Sequence, residues 1–143
     1  MLWQNHSMPN EPRLRAVNPP ELSKPPGYSH VIEVTSGMLV YISGQVALDA
    51  SGNIVGKDDY PAQIRQVFAN LNGALQAAGT SFKNVVKLNY YIVDSVDRSL
   101  FFAYREVRDK YVDVADPPAA TVVIVRGLFL PEFLVEIEAV AAV

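Results

Sequence analysis

Two acids near the end of the chain have the spacing of a water-holding or proton-transferring pair. Glu136 and Glu138 alternate with Val135, Ile137 and Ala139. On an extended strand both carboxylates project from one face, roughly 6–7 Å apart. In a cleft such an acid acts as a general base or positions a water. On an open face the same residues are two solvated acids, and the alternation fits either arrangement. Other candidate chemistry is sparse. His6 and His30 lack the convergent partners a metal site needs, and His30 reads as a hydrogen-bonded edge residue. Asp49, Ser51 and Asn53 fall short of a calcium loop, which requires a bidentate Glu downstream. There is no P-loop and no dinucleotide fingerprint. Ser43 sits in Ser-Gly-Gln, outside any nucleophile-elbow context. With no cysteine, thiol catalysis, disulfides and thiolate metal sites are excluded.

The elements that must carry these residues are readable from periodicity. Tyr60 to Ala78 is the clearest helix: Ile64, Val67, Phe68, Leu71, Leu75 and Ala78 form one apolar stripe. Asp58 and Asp59 place acids at its start, Pro61 suits a first turn and Gly79 a stop. A second helix is expected from a cap at Asp97 to about Tyr111, with Leu100, Tyr104, Val107 and Tyr111 on one face and Glu106 and Lys110 paired outside. Val31–Thr35 and Met38–Ile42 read as strands joined by a Ser36-Gly37 hairpin. Val85–Val93, Ala119–Leu128 and Phe133–Val143 are three further strands, and Asp49 to Gly56 is a turn-rich loop. Residues 1–15 read as a flexible tail and 16–143 as one domain. The prolines at 19, 20, 25 and 26 make residues 18–27 a stiff lead-in that joins no ladder.

The chain has 143 residues, half of them hydrophobic, and a formal net charge of −3. One packed α+β domain follows, not a disordered chain. No basic stripe is present, which disfavours nucleic acid and anionic membrane surfaces. The N-terminus has no apolar run of the kind a signal peptide or membrane span needs. A reducing cytoplasm is the expected setting. Val122-Val123-Ile124-Val125 and Leu39-Val40-Tyr41-Ile42 carry apolar residues toward both faces of the sheet. Two helices cover one face, so the other is expected to be buried against further copies of the chain.

Several blocks, in order, resemble one family: Asn18-Pro19-Pro20, Gly27-Tyr28-Ser29-His30, Ser43-Gly44-Gln45, Gly52-Asn53-Ile54-Val55-Gly56, Gln63 with Asn70-Leu71, Ala77-Ala78-Gly79, Val85-Val86-Lys87, Pro118-Ala119 and Val135 to Ala141. Over residues 16–143 the chain resembles the YjgF/RidA family, also called the reactive intermediate deaminase or L-PSP endoribonuclease family. The resemblance implies a chorismate-mutase-like α+β fold, with one mixed sheet and two helices on one face. It implies a homotrimer whose sheets form a central barrel, with a ligand cleft between subunits. It further implies hydrolysis of imine or enamine acids to keto acids by water, with no cofactor and no metal.

Residue by residue, the match places Tyr28 at the cleft border, Gly44 where a missing Cβ lets a ligand approach the backbone, and Glu136 as the carboxylate that holds the attacking water. Tyr28 fits equally a role in pinning the lead-in, and Gly44 a plain turn. The family's carboxylate-clamping arginine follows the Pro-Ala pair, and here that position is Ala120. Losing a bidentate guanidinium contact should weaken carboxylate binding by about 2–5 kcal/mol. Arg126 lies roughly 20 Å further along an extended strand and does not replace it. Arg105, on the second helix, is either a cleft residue or a solvated one. The implied ligand is a small keto acid or imine-like metabolite. A non-catalytic binding trimer and an L-PSP-type endoribonuclease or translation inhibitor are the alternatives.

Overall fold

The computed structural model describes residues 12–143. Most of the expected tail therefore lies outside the described residues. Six strands and two α-helices follow in the order β1 (Arg13–Val17), β2 (Val31–Ser36), β3 (Leu39–Gln45), α1 (Tyr60–Ala77), β4 (Val85–Val93), α2 (Tyr104–Arg108), β5 (Ala119–Val125) and β6 (Val135–Ala142). Short 3₁₀ turns at Phe82–Asn84 and Phe101–Ala103 lead into β4 and α2.

The main sheet has the order β3-β6-β4-β5 and is mixed: β4 and β5 run parallel, and the other pairs are antiparallel. β1 and β2 form a separate antiparallel ribbon. Two expectations are corrected here. The Ser36-Gly37 step is not a hairpin, because β2 pairs with β1 and β3 pairs with β6. Gly37, at φ +107°, instead turns a corner between ribbon and sheet, where a Cβ would collide with the Val143 carbonyl and Pro12. The physical reason is competition for strand edges: β6 offers β3 a longer apolar partner than β2 does. The domain boundary expected at residue 16 also falls inside a strand, since β1 begins at Arg13.

α1 forms as its residues dictate. The Asp59 side chain accepts from the Ala62 N–H at 3.0 Å and caps the helix. Gly79, at φ +79°, ends it. Ile64, Val67, Phe68, Leu71 and Leu75 are fully buried against Leu88, Ile92, Val135 and Ile137 of the sheet. Burying each such side chain contributes about 1.5–3 kcal/mol before entropy is counted. Gln63 is buried with every polar atom used: its amide donates to the Gly56 and Glu132 carbonyls and accepts from the Leu134 N–H, fixing the start of β6.

α2 is much shorter than its expected span to Tyr111. Asp97 accepts from the Ser99 N–H two residues on, closing a local turn instead of capping a helix. After Arg108 the helix loosens into a turn, in which the Tyr111 and Val112 N–H groups both donate to the Arg108 carbonyl, and Tyr111 stacks on Phe68 and tilts against Phe82, with ring centroids 5.6 and 5.0 Å apart. Aromatic packing on the core takes the place of the last three residues of the expected helix. Tyr104 packs on Tyr90 of β4 at 4.6 Å, so α2 lies on the same sheet face as α1.

Candidate functional site

β5 is the edge of the main sheet, and its parallel register with β4 assigns its faces. Ala120, Val122 and Ile124 pair with Leu88, Tyr90 and Ile92, which point to the helices. Ala120 therefore faces α2. The lead-in is fastened over this edge: the Ser29 hydroxyl donates to the Pro117 carbonyl at 2.6 Å, and the Ser29 N–H donates to the Pro118 carbonyl at 3.1 Å. His30 braces the same loop, its N–H donating to Asn18 Oδ1 and its Nε2 lying 2.7 Å from the Ser23 carbonyl. The expected hydrogen-bonded edge histidine is thus observed, and its ring meets Tyr28 edge-on at 5.4 Å.

These fastenings place Tyr28 on the wall of a cavity of about 330 Å³, lined also by Pro26, Tyr90, Phe102, Tyr104, Arg105, Arg108, Ala120, Thr121 and Val122. Three residues singled out in the sequence, Tyr28, Arg105 and Ala120, therefore meet. Arg105 stacks its guanidinium 4.2 Å from the Phe102 ring centroid. Arg108 is buried and held by Asp109, with Nε and a terminal nitrogen 2.8 and 2.6 Å from Oδ1. Gly27, at φ +91°, leaves the space that the Arg108 guanidinium fills. Burial pushes the Tyr90 phenol far above its usual range, with Arg108 pulling weakly the other way, so it stays a neutral O–H donor.

Glu136 and Gly44 are elsewhere. Glu136 pairs with Tyr91 across β6 and β4, on the face opposite Ala120. Gly44 sits in the irregular stretch between Ile42 and Gln45 of the β3–β6 ladder, and a Cβ there would overlap the Glu136 carboxylate. Glu138 shares that face and accepts from the Tyr91 hydroxyl at 2.6 Å and from the Asn89 amide at 3.2 Å. That hydrogen bond to a carboxylate raises the Tyr91 phenol above its ordinary value. Glu138 is thus engaged structurally, while Glu136 stands beside a backbone cleared of side chain. Gly44 also lines a shallow groove of about 510 Å³ with Gln45 and Asn70. Among the described residues, no cluster of His, Asp or Glu has the makings of a metal site, and no helix is long and apolar enough to cross a membrane.

Arg108 and Tyr90 are the cavity residues that sequence reasoning passed over. One signal was there: Arg105 and Arg108 lie three apart and so share a helix face. Tyr90 carried none, because its buried, unpartnered hydroxyl is visible only in three dimensions.

A mixed-sheet α+β domain with two helices on one face, an aromatic cavity at the sheet edge and two acids, Glu136 and Glu138, on the far face define the class. The endoribonuclease L-PSP family model matches residues 21–143, and the chain belongs to that family, the YjgF/RidA family of the sequence resemblance. It is 36% identical over 120 residues to a RutC family protein of Pyrococcus horikoshii, covering 82% of this chain and 89% of that one. It is 32% identical over 124 residues to the 3-aminoacrylate deaminase RutC of Acinetobacter baylyi, covering 87% and 94%. The Rid-family protein YyfB of Yersinia pestis superposes with a TM-score of 0.83 at 38% identity, covering 91% of this chain and 98% of that one.

Proposed function

We propose that the chain works as a homotrimer that binds a small imine or enamine acid between subunits and hydrolyses its carbon–nitrogen bond with water, releasing the keto acid. The observation that carries this reading is the division of the candidate residues. Tyr28, Arg105 and Ala120 line one cavity, whereas Glu136 and Gly44 sit together on the other sheet face. One copy presents each half separately, and a ring of copies juxtaposes the cavity of one subunit with the acid of the next. Membership in a family with a named 3-aminoacrylate deaminase supports the reaction class.

In this reading Glu136 takes a proton from a water whose oxygen adds to the imine carbon. The proton returns to nitrogen, the C–N bond breaks, and ammonia leaves with the carbonyl product. One imine and one water give one carbonyl and one ammonia, so no cofactor takes part. In the same reading the Gly44 N–H donates to an oxygen of the ligand, and Tyr28 borders it.

The test is ammonia release from 2-imino and enamine acids generated in situ. Wild type should release ammonia, and Glu136→Gln should lower the rate by about 10²-fold or more. Re-annealed mixtures of Glu136→Gln with Tyr28→Ala should regain activity that neither has alone, since some clefts then hold two intact halves. Activity that appears only after Ala120→Arg would show a sound cleft lacking its clamp. Silence in both favours the second reading, a binding trimer without catalysis, for which Ala120 is the supporting observation. The endoribonuclease reading lacks a basic stripe to hold RNA at a net charge of −3. RNA cleavage that copurifies with the protein and disappears in Glu136→Gln would reverse that ranking.

A further inference from the structure

We infer that the anion-binding end of the ligand cavity is built on α2, by Arg105 and Arg108 with the Tyr90 hydroxyl, and that it takes a small monocarboxylate with a planar unsaturated body. This rests on the reading of the edge cavity as the ligand site, and it names what that site selects.

Three observations converge. The first is the state of the donors. Tyr90 is 1% exposed, and its hydroxyl has no hydrogen-bond partner among the described residues; the same holds for Arg105 Nε. Buried donors are nearly always paired, and two orphans carried by residues that line one cavity point to a ligand acceptor drawn in beside them. The second is charge. Arg105 and Arg108 both line the cavity, none of its lining residues is acidic, and Asp109 neutralises Arg108 from outside the lining. One positive charge is left over, which matches one carboxylate. The third is shape. Tyr28, Phe102, Tyr90 and the edge of β5 bound a space of about 330 Å³, at the small end of ligand pockets. Aromatic walls favour a flat, conjugated body.

Ala120 then has a role. Its side chain faces α2, so a long side chain at that position would enter the space between the helix arginines and the strand. The small residue leaves that space to the ligand, and the charge that grips the carboxylate comes from the helix. The ligand's charged end is thereby directed toward α2.

Benzoate is the probe, with benzamide as its neutral isostere and cyclohexanecarboxylate as its saturated analogue. Binding to the full chain is followed by calorimetry and by chemical-shift changes of cavity residues. Benzoate should bind at least ~10-fold more tightly than either analogue. Arg105→Met should abolish the preference for benzoate over benzamide, a ratio that a merely structural role would not move. Tyr90→Phe should weaken benzoate by about 10-fold while leaving the thermal midpoint of the free protein unchanged or raised, because it deletes an unpaired hydroxyl. Arg108 also fills the space beside Gly27, so Arg108→Lys, which keeps the charge and loses the planar fork, is its informative variant and should weaken benzoate similarly. Equal binding of benzoate and benzamide, or an unchanged preference in Arg105→Met, would overturn the inference while leaving the cavity as a ligand site. No shift at cavity residues with any probe would overturn the inference and the cavity reading together.

Discussion

Gly44 and Glu136 constrain each other. A Cβ on residue 44 would overlap the Glu136 carboxylate, so that acid keeps its position only beside glycine. Gly44→Ala should therefore displace the carboxylate and lower ammonia release, with little loss of stability, because the end of a flexible side chain can move aside. Equilibrium denaturation measures the stability term. The identity of position 44 was visible in the sequence as a glycine after a strand. Its neighbour across the ladder was not, because a bulge shifts the β3–β6 register between Ile42 and Gln45. Ala120 shows the reverse case. The alanine after Pro118-Ala119 was plain in the sequence, but the helix cations that share its cavity needed coordinates.

The elements differ in how far local sequence fixes them. α1 carries its own cap, stripe and stop, and it forms where periodicity expects it. Asp59→Ala should cost about 1 kcal/mol by removing the side-chain acceptor for the Ala62 N–H, read as a lower denaturation midpoint with unchanged slope. α2 lacks such signals. Its expected cap is spent on a local turn at Ser99, and its expected last turn is drawn to the core by Tyr111. A helix whose length is set by aromatic contacts elsewhere cannot be bounded from its own periodicity. The β2–β3 step is similar. Gly37 reads as a turn residue, and whether the turn closes a hairpin or rounds a corner depends on which edge β3 finds. Gly37→Ala should destabilise more than an ordinary exposed Gly→Ala, since it adds a clash with the Val143 carbonyl to a strained φ of +107°. A loss no greater than that of a relaxed turn glycine would argue against the corner.

At the scale of the molecule, the sheet face away from the helices is part apolar and part polar. Leu39 and Tyr41 of β3 are 46% and 76% exposed, and Val123 of β5 is 40% exposed. Between them run Asn89, Tyr91 and Glu138, linked by hydrogen bonds, with Glu136 on the same face. Apolar residues flanking a polar centre suit an interface with a functional acid inside it better than a uniformly greasy face does. β5 is also uncovered on the helix side, where Val122 and Ile124 are 36% and 40% exposed because α2 ends early. Wild type should sediment as a trimer at micromolar concentration. Tyr41→Asp, placing a charge in the apolar flank, should shift it toward folded monomer with retained circular dichroism. A wild-type monomer would remove the assembled cleft.

By itself the sequence determined the α+β class, the long helix, the four strands of the main sheet and the family, because each is written in short-range periodicity, turn chemistry or ordered motifs. It also placed an alanine, Ala120, directly after Pro118-Ala119. Only the tertiary structure decided that β2 leaves β3 for β1, that α2 stops at Arg108, and that Arg108 and Tyr90 join Tyr28, Arg105 and Ala120 at one cavity while Glu136 faces away. Those outcomes turn on which strand edges and aromatic rings meet across long separations, and no local pattern records the winner of that competition.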